Sequence, residues 1–333
     1  MPGCSSPSQP SPTADAGSPT AACASCYVSA TPKPLNVCVI SGHGAPYDQS
    51  TATLTATGTP AGGSYSWRSA NTAIATVSGT GATGTVTGVA KGSANIEVTY
   101  TPPGCGPCTD TIPVKVCVCA RVNNYTSYGK NVADVNGAKA KIKTRYAKLC
   151  CENEGCSKSH ALHCTYVNIS NTSGALKWAQ SGYGRERNYG STAIATDLYS
   201  EVQGDDPYYI RKEAAPAEGT AHEYKIQLDP ATGQWSFYLD GGVPWDTHTD
   251  PFWKGKRGDN VQWTGEIHNT DDDMSGTSGD KCNFTECQYR VRGPLVYKDA
   301  GIPAGGPTTS DGSEWGAERV SATALDIWDK NPN

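Results

Sequence analysis

The sequence predicts an all-β protein made of two antiparallel β-sandwiches, the second larger than the first. Short runs rich in Thr, Val, Ile and Tyr alternate between apolar and polar residues and are bounded by Gly, Pro, Asn and Asp, which is the pattern of strands and tight turns. The 37 glycines and 22 prolines suit such turns. A length of 333 residues exceeds one ordinary domain of about 100–200 residues, so two folded units are expected.

Composition also restricts the class of partner and the compartment. The formal net charge is -5, so the chain carries no general attraction for nucleic acid. The sequence has no apolar run of about 18 residues, so no membrane-spanning segment is predicted. Its 14 cysteines indicate pairing in an oxidising compartment. We therefore expect an exported bacterial protein, either secreted or held on the cell surface.

Residues 1–29 form a Ser/Pro-rich segment that we expect to be a disordered tether, because it holds too little apolar surface to fold. Cys4 follows Gly3 and looks like the lipid-bearing cysteine at the end of a bacterial lipoprotein signal. On that interpretation Cys4 is lipidated and anchors the protein to a membrane. On the alternative it is a stray cysteine in an ordinary N-terminal tail.

The other cysteines favour disulfides over metal binding. Cys23 with Cys26, and Cys105 with Cys108, have the Cys-x-x-Cys spacing of metal ligands, but export makes disulfides the favoured interpretation. In the second unit we expect a disulfide knot formed by Cys150, Cys151, Cys156 and Cys164. We also expect Cys282 and Cys287 to clip the loop before or along the final core strand.

Residues 30–120 are the first predicted unit, since short alternating runs separated by Gly-rich turns have the spacing of a small antiparallel sandwich. The Trp67 strand, the run AIATV from Ala73 to Val77 and the ending GVAKGSANIEVTY carry a resemblance to the bacterial immunoglobulin-like domain of group 2. The resemblance implies a spacer or binding module. No cluster of ionisable residues in this stretch of sequence suggests catalysis.

Residues 121–297 are the second predicted unit, and residues 298–333 are a Gly/Pro-rich C-terminal segment. The run from Ala138 to Tyr146 places its basic residues on one strand face. This face either attracts an acidic polymer or is a solvated face that blocks edge pairing.

The stretch HEYKIQLDPATGQWSFYLDG predicts a β-hairpin, because its DPATG turn has Pro and Gly where their backbone preferences fit. Val320–Trp328 is predicted as a last strand or a short helix.

The stretch Val261–Asn269, VQWTGEIHN, is the first candidate for chemistry. Strand side chains alternate between two faces. Val261, Trp263 and Ile267 therefore suit a core, whereas the other face carries Gln262, Thr264, Glu266 and His268. A carboxylate two residues from an imidazole on a rigid strand can support hydrolysis. The alternative is an ordinary solvated polar face.

A second stretch, Gly174–Gly184, places Trp178 and Gln180 on one strand face. If this face meets the one bearing Glu266, the carboxylate can act as a general base on water and then return the proton to the leaving amine. The amide of Gln180 would orient the water and donate to the developing oxyanion. Trp178 beside the pair is expected to raise the carboxyl pKa by desolvation, which predicts an acidic to near-neutral working pH.

Most of residues 127–291 resemble the neprosin-type glutamic peptidases. The resemblance is carried, in order, by YGKNVADVNGAKAKI, ALKWAQSGYG, the predicted hairpin, VQWTGEIHN and DMSGTSGDKCNFTECQYR. It implies a concanavalin-like sandwich of two antiparallel sheets, a site on the concave face and Glu266 as the catalytic glutamate. Gln180 stands where neprosins carry their other glutamate. The related eqolisins use a Gln and a Glu, so the resemblance implies a Gln180–Glu266 dyad.

These features predict a glutamic endopeptidase that acts on polypeptides without a metal or cofactor. The candidate catalytic residues are Glu266 and Gln180, and the candidate substrate-binding residues are Trp178, Tyr183, Thr264 and His268. The alternative is a non-catalytic carbohydrate-binding or adhesive protein on the same sandwich, whose partner is a glycan or cell-surface polymer, because Trp and Tyr also suit sugar rings. The aspartates at 271–273 either hold calcium or form a plain acidic loop.

Overall fold

Regular structure in the protein is almost entirely β, as the alternating patterns predict. The computed structural model describes residues 25–42, 44, 46–153, 156, 160–293 and 296–332. Cys4, Cys23 and most of the predicted tether lie outside the described residues. The described residues form 22 strands and one 3-10 turn, Pro251–Trp253, and they include no helix long and apolar enough to cross a membrane.

The first unit is a small sandwich of two four-stranded sheets. Its strands are β1 (Tyr27–Thr31), β2 (Leu35–Ser41), β3 (Thr51–Thr59), β4 (Ser64–Ser69), β5 (Ala75–Thr80), β6 (Thr83–Gly88), β7 (Gly92–Thr101) and the start of β8 (Cys108–Lys143). One sheet has the order β1–β3–β6–β5. The other has the order β4–β7–β8–β2, with β2 parallel to β8. Leu54 and Val86 of the first sheet pack with Ile96 and Ile112 of the second in a shared core, which confirms the predicted immunoglobulin-like sandwich.

The second unit is the larger antiparallel sandwich. Its strands after β8 are β9 (Ala161–Asn171), β10 (Lys177–Arg187), β11 (Ala195–Gln203), β12 (Tyr209–Ala214), β13 (Ala221–Asp229), β14 (Gln234–Leu239), β15 (Asp246–Thr249), β16 (Gly258–Asn269), β17 (Gly276–Thr277), β18 (Asp280–Val291), β19 (Lys298–Asp299), β20 (Thr308–Thr309), β21 (Trp315–Ser321) and β22 (Ala324–Asp329). One sheet has the order β12–β11–β10–β9–β16–β8. The other has the order β15–β14–β13–β8–β18–β22–β21.

The 36-residue strand β8 belongs to both units. Residues 108–116 pair with β7, residues 121–131 pair with β16, and residues 137–143 pair with β13. Between the last two ranges the chain passes from one sheet of the larger sandwich to the other, where Asp134 has a φ of 62°. The chain therefore runs as strand through residues 120 and 121, where the sequence suggests a boundary between units.

The hairpin and the C-terminal segment complete the larger core. The predicted hairpin is confirmed as β13 paired with β14, and Gly233 has the positive φ, 81°, that its turn requires. The C-terminal stretch Val320–Trp328, predicted as a strand or a helix, belongs to the paired strands β21 and β22. Leu325 and Ile327 of β22 are fully buried in the larger core, so this segment is part of the sandwich.

Disulfides join the two units, and the cysteine predictions need correction. The described bonds are Cys26–Cys108, Cys38–Cys156, Cys117–Cys151 and Cys119–Cys150. Cys105 is also disulfide-bonded. Among the described residues, Cys164, Cys282 and Cys287 are free thiols, so the predicted clip is wrong and Cys164 is not part of the predicted knot. The other three members of that knot bond cysteines of the first predicted unit instead of one another. Cys282 and Cys287 lie five residues apart on β18, about 16 Å along a strand, whereas a disulfide spans at most about 7 Å between Cα atoms.

Removing the Cys38–Cys156 disulfide should lower the free energy of unfolding by about 3–5 kcal/mol, because it closes a long loop in the unfolded chain. The bond joins residues 118 positions apart and connects β2 of the first unit to the second. Urea unfolding of the double Ser variant measures the loss. Cys164→Ser, which removes a free thiol, is the control and should change stability far less. An unchanged midpoint in the double variant would contradict the bracing role.

Candidate active-site groove

A cavity of about 630 Å³ opens on one face of the β12–β11–β10–β9–β16–β8 sheet, and we call it the groove. Alternate residues of β9 from Leu162 to Ser170 line it, so it runs along the strands. The side chains of Gln180, Glu201 and Glu266 also line it. A long cavity on the face of a rigid sheet, with carboxyl and amide groups on its floor, is a suitable place for binding and chemistry.

Strand register places four polar residues in a row across the groove floor. Gln262 of β16 is opposite Asn168 of β9, which is opposite Gln180 of β10, which is opposite Glu201 of β11. Gly182, two residues from Gln180, has no room for a side chain, because a Cβ there would lie 1.9 Å from the Thr165 carbonyl oxygen. The row therefore depends on the pairing of four strands that are distant in sequence.

Hydrogen bonds connect three members of this row. Asn168 Nδ2 donates to Gln180 Oε1 at 3.2 Å, and Gln180 Nε2 donates to Glu201 Oε2 at 2.8 Å. Burial raises the pKa of Glu201, although hydrogen bonds from Tyr208, Gln180 and Trp178 act in the opposite direction, and the charge of Glu266 raises it further. Glu201 therefore stays protonated to a higher pH than a free glutamate does.

The Glu266 carboxylate lies in a different environment. Tyr166 OH donates to Oε2 at 2.8 Å, and His268 Nε2 lies 3.2 Å from Oε1. Burial acts to raise the pKa of Glu266, but the hydrogen bond and charge of His268, with the Tyr166 hydroxyl, outweigh it and leave the pKa lowered. The side chain is 24% exposed, so a charged carboxylate faces the groove.

Trp178 does not have the predicted effect on Glu266. Its register partner on β9 is Ser170, whereas the partner of Glu266 is Cys164, six residues away along that strand. Trp178 is instead a hydrogen-bond partner of Glu201. The expectation that Trp178 raises the pKa of Glu266 is therefore wrong, and the carboxyl with the raised pKa is Glu201.

Gln180 and Glu266 line the same groove at two separate points. Gln180 is opposite Asn168 and Glu266 is opposite Cys164, so they are offset by four residues along β9 and lie on either side of it. At about 3.3 Å per residue and 4.8 Å per strand, their backbones are about 16 Å apart on a flat sheet. Tyr166 lies between them in register. Among the hydrogen bonds of the described residues, none joins Gln180 to Glu266 directly.

The four predicted substrate-binding residues divide into two groups. Trp178 and His268 line the groove. Tyr183 is fully buried on the opposite face of β10, where its hydroxyl accepts from Arg145 N at 2.9 Å, so it is a core residue. Thr264 shares the strand face of Glu266 but is only 2% exposed. The predictions for Tyr183 and Thr264 as substrate contacts are therefore corrected.

Glu201 and Tyr166 are functional candidates that the sequence interpretation missed. Alternation in ATDLYSEVQ already separates Glu201 from Leu198 and Val202, which are buried. That signal places Glu201 on a polar face, but only the pairing of β11 with β10 brings it next to Gln180. Tyr166 gives no signal in the sequence, because β9 is buried along nearly its whole length.

The aspartates at 271–273 include a residue with a structural role. Asp272 is 2% exposed and accepts hydrogen bonds from the backbone N–H groups of Cys150, Leu162 and Asn269. Burial raises the pKa of Asp272 to about 6. Among the described residues, the clusters with metal-ligand geometry consist of cysteines that form the disulfides. Asp272 thus supports the chain beside the disulfides.

Replacing His268 with Ala should raise the pKa of Glu266, because His268 provides the largest influences that lower it. Tyr166→Phe should raise the pKa by a smaller amount. Carbon NMR of labelled glutamate side chains across a pH titration measures both shifts without an activity assay. His222→Ala is the matched control, since His222 pairs with Asp240 instead. An unchanged Glu266 titration in the His268 variant would contradict this account of the carboxylate.

Comparison with known protein families finds a match to part of the first unit. Residues 47–101 match the family described as Bacterial Ig-like domain (group 2). No curated protein matches the chain.

Similar solved structures are distant from this chain. Scytalido-glutamic peptidase with a peptide-based transition state analog matches with a TM-score of 0.38 and 14% identity, over 63% of this chain and 99% of that chain. SCP-B, a member of the Eqolisin family of peptidases, matches with a TM-score of 0.36 and 13% identity over the same shares. A pseudo beta-1,3-glucanase of Mycobacterium tuberculosis matches with a TM-score of 0.27 and 11% identity, over 72% of this chain and 75% of that chain. Such low scores carry no argument about activity.

Proposed function

We propose that the protein is a glutamic-peptidase-like hydrolase that cleaves peptide bonds in the groove. Glu266 is the general base, Gln180 polarises the carbonyl, and Glu201 is the proton donor. The observation that carries the proposal is that two carboxyl groups line one groove in different surroundings, with Glu201 bonded to Gln180 and Glu266 bonded to Tyr166 and His268. These surroundings move the two pKa values in opposite directions. Such a division of environments is how an enzyme holds one carboxylic acid and one carboxylate at the same pH.

The proposed reaction uses groups in the states that their surroundings favour. The Glu266 carboxylate takes a proton from water as the water oxygen attacks the carbonyl carbon. The Gln180 amide has two N–H donors. One binds Glu201, and the other would stabilise the oxyanion. Glu201 then protonates the leaving nitrogen as the C–N bond breaks. Exchange with solvent returns both carboxyl groups to their starting states.

The separation of Gln180 and Glu266 sets a requirement on how the substrate lies in the groove. The attacking water and the developing oxyanion are on the same carbon, so the Glu266 carboxylate and the Gln180 amide must both reach one peptide group. The backbones are about 16 Å apart on a flat sheet, and the Gln180 amide nitrogen is bonded to Glu201 on the side away from Glu266, so the reaction requires Gln180 to move toward Glu266 when the substrate binds. Tyr166, which lies between them in register, would then contact the substrate.

An exported setting is part of the proposal. The four disulfides of the described residues suit an oxidising compartment, and an immunoglobulin-like unit before the groove suits a spacer. On this proposal the protein is secreted or tethered at the cell surface. A lipid on Cys4 would supply the tether, and mass spectrometry of Cys4 in protein from its native membrane fraction tests that part alone.

The proposed activity is tested by incubating the purified protein with an unfolded polypeptide such as reduced casein from pH 3 to 7. We expect cleavage with an acidic optimum. Products formed in ¹⁸O-labelled water should carry one heavy oxygen in each new carboxyl group, as attack by water requires. Intact casein across the whole range, with the protein shown to be folded, would overturn the proposal.

Carbohydrate binding is the second candidate, and one observation favours it. Tyr208 is 48% exposed and lines the groove near Trp178, and exposed aromatic rings can stack on sugars. Under this alternative the carboxyl groups bind hydroxyl groups and cleave nothing. Specific binding on a glycan array, weakened by Tyr208→Ala and accompanied by no proteolysis, would support this alternative over hydrolysis.

A further inference from the structure

One end of the groove exposes an unusual amount of apolar surface. Leu176 is 56% exposed, Tyr208 is 48% exposed and Ile210 is 42% exposed, and all three line the groove with Trp178. We call these four side chains the apolar end. Large apolar side chains that stay exposed together commonly mark a binding surface.

The opposite end of the groove is charged. Lys212 forms ion pairs with Glu186 at 2.5 Å and with Asp197 at 3.7 Å. Glu266 and His268 lie toward this end of the groove. Glu266 is opposite Cys164 of β9, and the same row continues through Gly184 of β10 to Asp197 of β11. The groove therefore has a direction, with paired charges at one end and exposed apolar groups at the other.

The apolar end is continuous with the proposed catalytic groups. Ile210 is the register partner of Glu201, and Tyr208 and Trp178 are hydrogen-bond partners of the Glu201 carboxyl. A ligand that covers these apolar side chains therefore also approaches Glu201 and Gln180. This position favours a part of the substrate as the occupant over an unrelated protein surface.

We propose that the apolar end is a specificity subsite for one large apolar side chain of an extended polypeptide. This inference rests on the proposed function and deepens it. Along the strands, Trp178 lies two residues from Gln180 on the side away from Glu266. Glu266 lies four residues from Gln180 in the opposite direction. At about 3.3 Å per residue for an extended chain, the subsite is about three to four residues from a bond held between Gln180 and Glu266.

The test measures binding and cleavage separately. Fluorescein-labelled peptides that carry Leu or Phe at one position, and Ser elsewhere, are titrated against the full-length Glu266→Gln protein by fluorescence anisotropy. We expect peptides with the apolar residue to bind at least about tenfold more tightly than the all-Ser peptide, a difference of about 1.4 kcal/mol. Cleavage of the same peptides by the unmodified protein should occur three to four residues from that residue.

Ile210→Lys should abolish this preference. Leu176→Ser, at a more exposed position, provides a second variant with less risk to folding and should weaken the preference. Val243→Ser is the matched control, because Val243 is 81% exposed and is not among the residues that line the groove. Cleavage with no preference for apolar residues would overturn the subsite while leaving the hydrolase intact. Apolar-selective binding without cleavage would retain the subsite and reject the hydrolase.

Discussion

Glu266→Gln should lower kcat for peptide cleavage by about 10³-fold or more, because it removes the general base on which the proposed reaction depends. The carboxylate is the form that the surroundings of Glu266 favour, since His268 and Tyr166 lower its pKa. An amide of the same shape can still contact Tyr166 but cannot take a proton from water. Initial rates on a quenched fluorescent peptide, with saturating substrate, measure the loss.

Glu223→Gln is the control for the Glu266 variant. Glu223 is a strand glutamate whose carboxylate pairs with Lys139 at 2.8 Å, and it does not line the groove. The control should retain kcat within about twofold. Urea unfolding of both variants should show that neither loses the fold. If Glu266→Gln cleaves as fast as the unmodified protein, Glu266 is not the base.

Trp263→Ala should lower the free energy of unfolding by about 3–5 kcal/mol, as truncation of a large buried aromatic ring leaves a cavity. Trp263 is fully buried, its ring lies 5.9 Å from that of Tyr128, and its Nε1 donates to the Lys139 carbonyl at 3.0 Å. It holds β16 against the core on the face opposite Glu266. Equilibrium unfolding in urea measures the loss.

Two further tryptophan variants separate packing from function. Trp263→Phe keeps most of the ring and should cost less than Trp263→Ala, although it leaves the Lys139 carbonyl without this donor. Trp178→Ala should cost clearly less stability, because Trp178 is only partly buried, and should instead weaken peptide binding in the groove. Equal destabilisation at Trp178 and Trp263 would contradict the assignment of the two faces.

Alternation along single strands made much of the fold predictable. The two faces of β16 were correctly separated at Trp263 and Glu266, and the hairpin β13–β14 follows from its turn residues. The same rule places Tyr183 in the core, because Tyr183 is three residues from Gln180 on β10 and therefore lies on the opposite strand face.

Contacts between distant strands were not predictable from the sequence. Register decides that Glu201 is beside Gln180, and that Tyr166 lies between Gln180 and Glu266. Register depends on how whole sheets pair, and a single sequence leaves it open. The pKa of Glu266 depends on the geometry of His268, which alternation alone does not supply. The disulfides between units likewise depend on how β2 and β8 meet the second unit.

The pH dependence of kcat/KM on a quenched peptide tests the central claim most directly. Glu266 must be ionised, so the rate should fall as pH drops through its lowered pKa. Glu201 must be protonated, so the rate should also fall as pH rises through its raised pKa. We predict a bell-shaped profile with an acidic optimum, whose high-pH limb disappears in a slower Glu201→Gln variant. A rate that keeps rising to neutral pH, or an unaltered profile in that variant, would contradict the account.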